Sequence, residues 1–300
     1  MFRWPARALL ICACAATLFA QEGSTIRVNV NLVHAVATVK NTAGQIVGTL
    51  GKDDFEIFDN GVRQQVAVFE HQTEQKLSVA LLVDISGSTA KDLAYEADAA
   101  SRFVHALLAE GNPADAVKLY AFNWQVWEGT PNFTRDTKTL SARLKTMRAE
   151  AGTALYDAVY LAARELEPRE GRKVIVVVTD GGDTVSKKDS HAALQEVQIA
   201  DAIIYPIVVT PITNEVGRNI GGEHVLQFMA EGTGGRIFMP AIGVALDKAF
   251  TEILAELRTQ YLLGYYPTNK NNDGSYRKIQ VKTTRKDIAV RARPGYRAKS

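Results

Sequence analysis

"LSVALLVDISGSTAKDL", residues 77–93, is the stretch on which the fold turns. Its apolar run, Leu77 to Val83, is broken only by Ser78 and ends in a carboxylate, Asp84. Two hydroxyls follow at alternate positions, Ser86 and Ser88. A strand that is apolar on both faces needs cover on both faces, as in a parallel sheet. From Leu93 the period changes: Leu93, Ala97, Ala100, Val104, Leu107 and Leu108 recur at spacings of three and four. That is the stripe of an amphipathic helix. A buried strand, a polar turn and a helix are therefore expected in that order.

The pattern repeats outward through residues 76–258. Apolar runs at Val117–Phe122, Val174–Thr179, Ile203–Val209 and Arg236–Met239 alternate with helical stretches, the last carrying Leu246, Phe250, Ile253, Leu254, Leu257 and Tyr261. Such alternation predicts an α/β, doubly wound, mostly parallel sheet. The flanks differ. Residues 24–75 alternate apolar and polar positions at period two, with turn chemistry at Asn41 to Gly44 and a hairpin signal at Asn60-Gly61. Residues 260–300 return to strands around a polar turn at Asp273-Gly274, and "LLGYYP" sets adjacent tyrosines on opposite faces, one core and one rim. Forty residues of hairpin do not stand alone. The expectation is a small antiparallel β-sandwich built from residues 24–75 and 263–300, with the α/β unit, residues 76–262, inserted into it.

The first twenty residues, "MFRWPARALLICACAATLFA", have a basic start, a short apolar run and small residues before Gln21. This is the shape of a secretory signal peptide cut after Ala20, and it predicts export to the periplasm, the cell surface or the medium. About a dozen apolar residues do not span roughly 30 Å of hydrocarbon, and no other long apolar run follows, so no transmembrane span is expected in the mature chain. Lipidation at Cys14 is the alternative reading of "ICAC". Both cysteines, Cys12 and Cys14, fall in this segment, which leaves the mature chain without thiol or disulfide chemistry. Loss of Arg3 and Arg7 takes the formal charge from +2 to zero. A neutral, mixed surface carries no electrostatic footprint for nucleic acid.

In a doubly wound sheet, ligands bind beyond the carboxyl ends of the strands, where strand order reverses. Asp84, Ser86 and Ser88 sit at one such end. "KVIVVVTDGGDT" delivers Asp180 to a second, and in "EAGTALYDAVYLAARELE" Thr153 precedes a helix patterned by Leu155, Val159, Ala162 and Leu166. Two carboxylates and three hydroxyls at one edge are hard oxygen donors with little charge, a set that suits Mg²⁺ with several waters retained. Alternate residues of an extended segment point the same way, which explains the D-x-S-x-S spacing. Taken by itself that motif also reads as a strand-to-helix turn, because Asp and Ser favour caps.

These three pieces, in this order on these elements, resemble the metal-ion-dependent adhesion site of von Willebrand factor type A domains over roughly residues 76–262. The flanks resemble those of a bacterial group of secreted proteins related to that family. The resemblance implies Ser86, Ser88 and Thr153 as hydroxyl ligands, with Asp84 and Asp180 binding the ion directly or through its waters. It implies Mg²⁺, with Mn²⁺ or Ca²⁺ as alternatives, and a partner protein that presents an Asp or Glu carboxylate. No enzyme is expected. Ser86 lies in D-I-S-G-S rather than a G-x-S-x-G elbow, and Ser86 stands where a phosphotransferase using Asp84 would want a second acid. The five histidines show no zinc spacing. The alternatives are a metal-independent component of an envelope assembly and, behind it, a hydrolase. Trp124 and Trp127 read as an edge strand packed on a helix. Lys187-Lys188-Asp189 reads as a helix start, and the tail from Arg277, nine basic residues against one acid, as a solvated strand face.

Overall fold

The computed structural model describes residues 32–71, 75–209 and 219–298. The expected signal segment, with Cys12 and Cys14, and the start of the strand region near residue 24 lie outside these. In chain order the elements are β1 (Val33–Asn41), β2 (Phe55–Asp59), β3 (Val62–Gln64), β4 (Val66–His71), β5 (Leu77–Asp84), α1 (Leu93–Glu110), β6 (Ala116–Phe122), β7 (Val126–Glu128), α2 (Thr137–Lys145) and α3 (Leu155–Leu166). There follow β8 (Arg172–Thr179), α4 (Ser190–Ile199), β9 (Ala202–Val208), α5 (Ile220–Thr233), α6 (Val244–Thr259), β10 (Tyr261–Tyr265), β11 (Tyr276–Thr283), β12 (Ile288–Arg291) and β13 (Gly295–Arg297).

The α/β expectation is met. The central sheet runs β7-β6-β5-β8-β9, parallel throughout except for the edge strand β7. Every residue of β5, β6 and β9 is buried, as continuous apolar runs require. Alternation sorts the side chains. Val79, Leu81, Val83, Val176 and Val178 pack against α1, α2 and α6, where the Phe103 and Phe250 rings lie 4.9 Å apart. Ala80, Leu82, Tyr120, Phe122, Ile175 and Val177 pack against α3, α4 and α5. Each fully buried Leu, Val or Phe is worth about 1.5–3 kcal/mol over leaving it exposed.

Two antiparallel four-stranded sheets, β12-β1-β10-β4 and β13-β11-β2-β3, share a third core of Ala35, Ala37, Val39, Phe55, Ile57, Tyr261, Leu263, Tyr265 and Ile279. Asn60 and Gly61 both take positive φ, 46° and 82°, the geometry of a tight hairpin turn between β2 and β3. In "LLGYYP", Tyr265 is fully buried and Tyr266 exposed.

Three expectations are corrected. The run Arg236–Met239 makes one parallel bridge, Ile207 to Phe238, instead of a strand. Phe238 donates to the Pro206 carbonyl and accepts from the Val208 amide, but the next bond of the ladder would need an N–H from Pro206. Proline has none, so pairing stops. Tyr261 is not on the last helix: α6 ends at Thr259 and Tyr261 opens β10, where it pairs with Ala37 and His71. Finally, β10 and β11 do not form a hairpin, because the Asp273-Gly274 turn carries the chain from one antiparallel sheet to the other.

Candidate functional site: an oxygen-lined rim at the switch point

The chain goes from β5 to β6 on one side and later places β8 on the other side of β5. Strand order therefore reverses between β5 and β8, and their carboxyl ends flank the crevice there. Asp84 ends β5, and Thr179 with Asp180 ends β8. The Asp84 carboxylate is fully buried; its Oδ1 accepts from the Ser86 amide at 2.8 Å, and its Oδ2 accepts from the Thr179 hydroxyl at 2.6 Å across the crevice. Burial pushes the Asp84 carboxyl up to about 6, against the hydrogen bonds from Thr179 and Ser86 and with a smaller push from the Asp180 charge.

The two serines of the motif converge, Ser86 Oγ to Ser88 Oγ 3.0 Å apart, in a short turn that Thr89 ties back through its hydroxyl to the carbonyls of Asp84 and Ser86. Thr153 is brought to the same rim by its main chain. The Glu150 amide donates to the Ile85 carbonyl, the Ala154 amide to the Asn123 carbonyl, and the Thr184 amide to the Thr153 carbonyl. The Thr153 amide in turn donates to the Thr184 hydroxyl at 2.9 Å. Four loops are thus sewn together by backbone bonds, and Thr153 is buried among them. Gly152 makes the last approach: its φ is +86°, and a Cβ there would sit 2.9 Å from the Trp124 Cβ. Asp180 is half-buried, with Oδ1 accepting from the Gly182 amide at 3.3 Å.

Among the described residues, no three acid or histidine side chains converge closely enough to chelate an ion on their own. The donors at this rim are instead carboxylates joined by hydroxyls, all oxygen, which is the chemistry of a hard divalent cation. One further group fits that reading and was not foreseen. Glu96, in the first turn of α1, is 1% exposed, and its Oε2 has no hydrogen-bond partner. Burial pushes its carboxyl up to about 8, with the Asp84, Asp92 and Asp180 charges adding to the push. The amino end of a helix offsets about 0.3–1 kcal/mol of such a charge, whereas burying an ion costs several kcal/mol. A cation among these acids would remove the deficit. The sequence did hold a signal: Glu96 lies four and seven residues before the buried Ala100 and Phe103, on the apolar face. Thr179, the direct partner of Asp84, shows in the sequence only as the end of an apolar run.

Nearby features serve structure. Asp183 accepts from the Tyr156 amide at 3.2 Å, in the first turn of α3, and Asp157 accepts from the Lys187 and Lys188 amides at 3.0 and 2.8 Å. Asp189 caps α4 through the Ala192 amide. The edge strand forms as expected, but Trp124 and Trp127 stand about half exposed, at 55% and 48%, rather than packed on a helix. The tail is not a uniformly solvated face. Arg277 is buried and donates to the Asn269 carbonyl, while Arg291 and Arg293 pair with Glu256 and Asp201. No described helix is long and apolar enough to cross a membrane.

Residues 79–182 match the family model of the von Willebrand factor type A domain. None of the curated proteins compared matches the chain. Among solved structures, the vWF domain of the type V pili tip protein Mfa5 from Porphyromonas gingivalis is similar, with TM-score 0.51 and 14% identity over 60% of this chain and 94% of that one. The pilus adhesin SpaC from Lactobacillus rhamnosus GG, in its open conformation, gives TM-score 0.51 and 10% identity over 88% of this chain and 48% of its own. Proximal thread matrix protein 1 from the mussel byssus, with a zinc-occupied MIDAS motif, gives TM-score 0.50 and 15% identity over 66% of this chain and 49% of its own. The chain thus spans about half the length of the last two. At these identities the likeness is one of fold.

Proposed function

We propose that this chain is an exported, adhesion-type module that binds partner proteins through a divalent cation, Mg²⁺ first, with Mn²⁺ or Ca²⁺ as alternatives. Asp84, Ser86, Ser88, Thr153 and Asp180 would hold the ion, directly or through its waters. When bound, the ion supplies an electrophilic position that accepts an Asp or Glu carboxylate of the partner. What the chain's own residues do is orient and restrain. Thr179 and the Ser86 amide fix both oxygens of Asp84, the Thr89 hydroxyl holds the serine turn, and Thr184 holds the Thr153 main chain. An ion held largely through hydroxyls and waters would keep exchangeable positions, and a carboxylate from outside can take the place of one of those waters. The single observation that carries this reading is the meeting of Asp84 and Thr179-Asp180 across the switch point, with the paired serine hydroxyls beside it.

The flanking strands, residues 24–75 and 263–300, are one sandwich in this reading, carrying the α/β unit of residues 76–262. The core shared by the two antiparallel sheets supports it. The test is calorimetric titration with MgCl₂, together with capture of partners from an envelope extract with and without EDTA. Asp84→Ala is expected to abolish heat and capture while leaving the circular dichroism spectrum unchanged. Unchanged heat in that variant would refute the ligand assignment. Capture that survives EDTA would favour metal-independent assembly, for which the exposed Trp124 and Trp127 offer contact area.

A further inference from the structure

The five ligands proposed above leave one buried carboxyl without a task. Glu96 projects from the first turn of α1 on the same stripe as Leu93, Ala97 and Ala100, and is as buried as they are. Nothing hydrogen-bonds its Oε2. The charges that act on it are all acids: Asp84 and Asp180 from the two strand ends, and Asp92 from the turn before the helix. A leucine or glutamine at this position would spare the fold a desolvated, self-repelling carboxylate. A buried acid with like-charged neighbours and one oxygen left without a partner is therefore a costly thing to keep unless a cation answers it.

We propose that Glu96 is a positioning acid of the cation site, adding negative charge to the bound divalent ion from outside its direct ligand set. The inference rests on the cation reading above and adds a residue to it. Because no three acid or histidine side chains among the described residues converge to hold an ion, Glu96 is assigned a role outside the direct ligand set, as outer-shell carboxylates have in metal sites. It raises the affinity for the ion without occupying a position that a partner's carboxylate needs.

The experiment uses the full chain as wild type, Glu96→Gln, Glu96→Asp and Asp84→Asn, each titrated calorimetrically with MgCl₂ and melted in EDTA and in saturating Mg²⁺. Glu96→Gln is expected to melt in EDTA at or above the wild-type temperature, since a buried repulsion has gone. It is expected to lose about ten- to a hundredfold in Mg²⁺ affinity, the usual cost of an outer-shell partner, and to gain less melting temperature from Mg²⁺. Glu96→Asp, which keeps the charge, should retain most of the affinity. Wild-type affinity in Glu96→Gln alongside its loss in Asp84→Asn would overturn the proposal and leave the site reading standing. Melting of Glu96→Gln far below wild type in EDTA would assign the carboxylate to the fold and also overturn it. A loss in Glu96→Asp equal to that in Glu96→Gln would assign the effect to packing, with the same result. Absence of Mg²⁺ binding by the wild type would bring down both.

Discussion

A buried carboxylate is a costly residue, and this chain has one at the crevice, Asp84, and another in the first turn of α1, Glu96. Asp84 is restrained by two hydrogen bonds, and Glu96 lacks a partner for Oε2. Both carboxyls titrate above their ordinary range in the fold, so the folded state binds protons more readily than the unfolded chain. Stability then falls as pH rises through the interval between the two states' values. For Asp84 the interval runs from 3.8 to about 6, and for Glu96 from 4.5 to about 8. At about 1.4 kcal/mol per unit the loss is of the order of 3 kcal/mol for Asp84 alone. In EDTA the melting temperature is therefore expected to fall between pH 4.5 and pH 8, and saturating Mg²⁺ should flatten that fall. Thermal melts at three pH values, with Glu96→Gln in parallel, measure it. A metal-free protein whose stability rises across this range would contradict the environments assigned to both acids. At this scale the sequence was partly legible. Asp84, Ser86, Ser88, Thr153 and Asp180 stand out by spacing, whereas Glu96 shows only its place on the apolar stripe of α1, which marks burial and says nothing of the acids around it.

Between elements, the crevice depends on the end of β8 as much as on the end of β5. Thr179 donates to Asp84 Oδ2 and accepts from the Gly181 amide at 3.1 Å, so one hydroxyl joins two strand ends and the start of the glycine loop. Thr179→Val keeps the shape and removes both bonds. It is expected to destabilise the protein by about 1–3 kcal/mol at neutral pH, the cost of leaving a buried acceptor unmet. Urea unfolding followed by circular dichroism reads that loss, and calorimetry should show weaker Mg²⁺ binding. The other elements followed their periodicity, since α1, α3 and α6 bury the residues their stripes picked out. Arg236–Met239 did not, because an apolar run shows that a segment is buried, while a ladder also needs donors. Pro206 withholds one.

Across the whole described structure, the antiparallel sheets and the α/β unit are joined by charge as well as by the backbone. Glu256 of α6 is fully buried; its Oε1 meets Lys40 at 3.0 Å and Arg236 at 2.7 Å, and its Oε2 meets Arg291. Beside it, Gln260 donates to Thr38 at 3.0 Å and to Tyr205 at 2.7 Å, and accepts from Arg172 at 2.6 Å. The Glu256 carboxyl lies below its usual range because the Arg291 and Arg236 charges outweigh its burial. Glu256→Ala would remove the buried carboxylate shared by Lys40, Arg236 and Arg291, of which Arg236 keeps Glu252, and is expected to cost about 1.5–3 kcal/mol. The urea midpoint should fall while the Mg²⁺ affinity of any remaining folded protein stays near wild type, since the rim lies at the other ends of the strands. A variant as stable as wild type would show that the junction is held by packing alone.

What the sequence determined by itself was the kind and order of the elements and the rim's polar residues. Hydrophobic period is set locally, and a carboxylate or hydroxyl at a strand end is visible without its surroundings. Only the tertiary structure decided which strands became neighbours, that β10 and β11 entered different sheets, and that tail arginines were pairing groups instead of a solvated face. It alone showed that Glu96 is buried with its Oε2 unpartnered. Those outcomes depend on hydrogen bonds and charges between residues up to about two hundred and fifty positions apart, and no local period records such a partner.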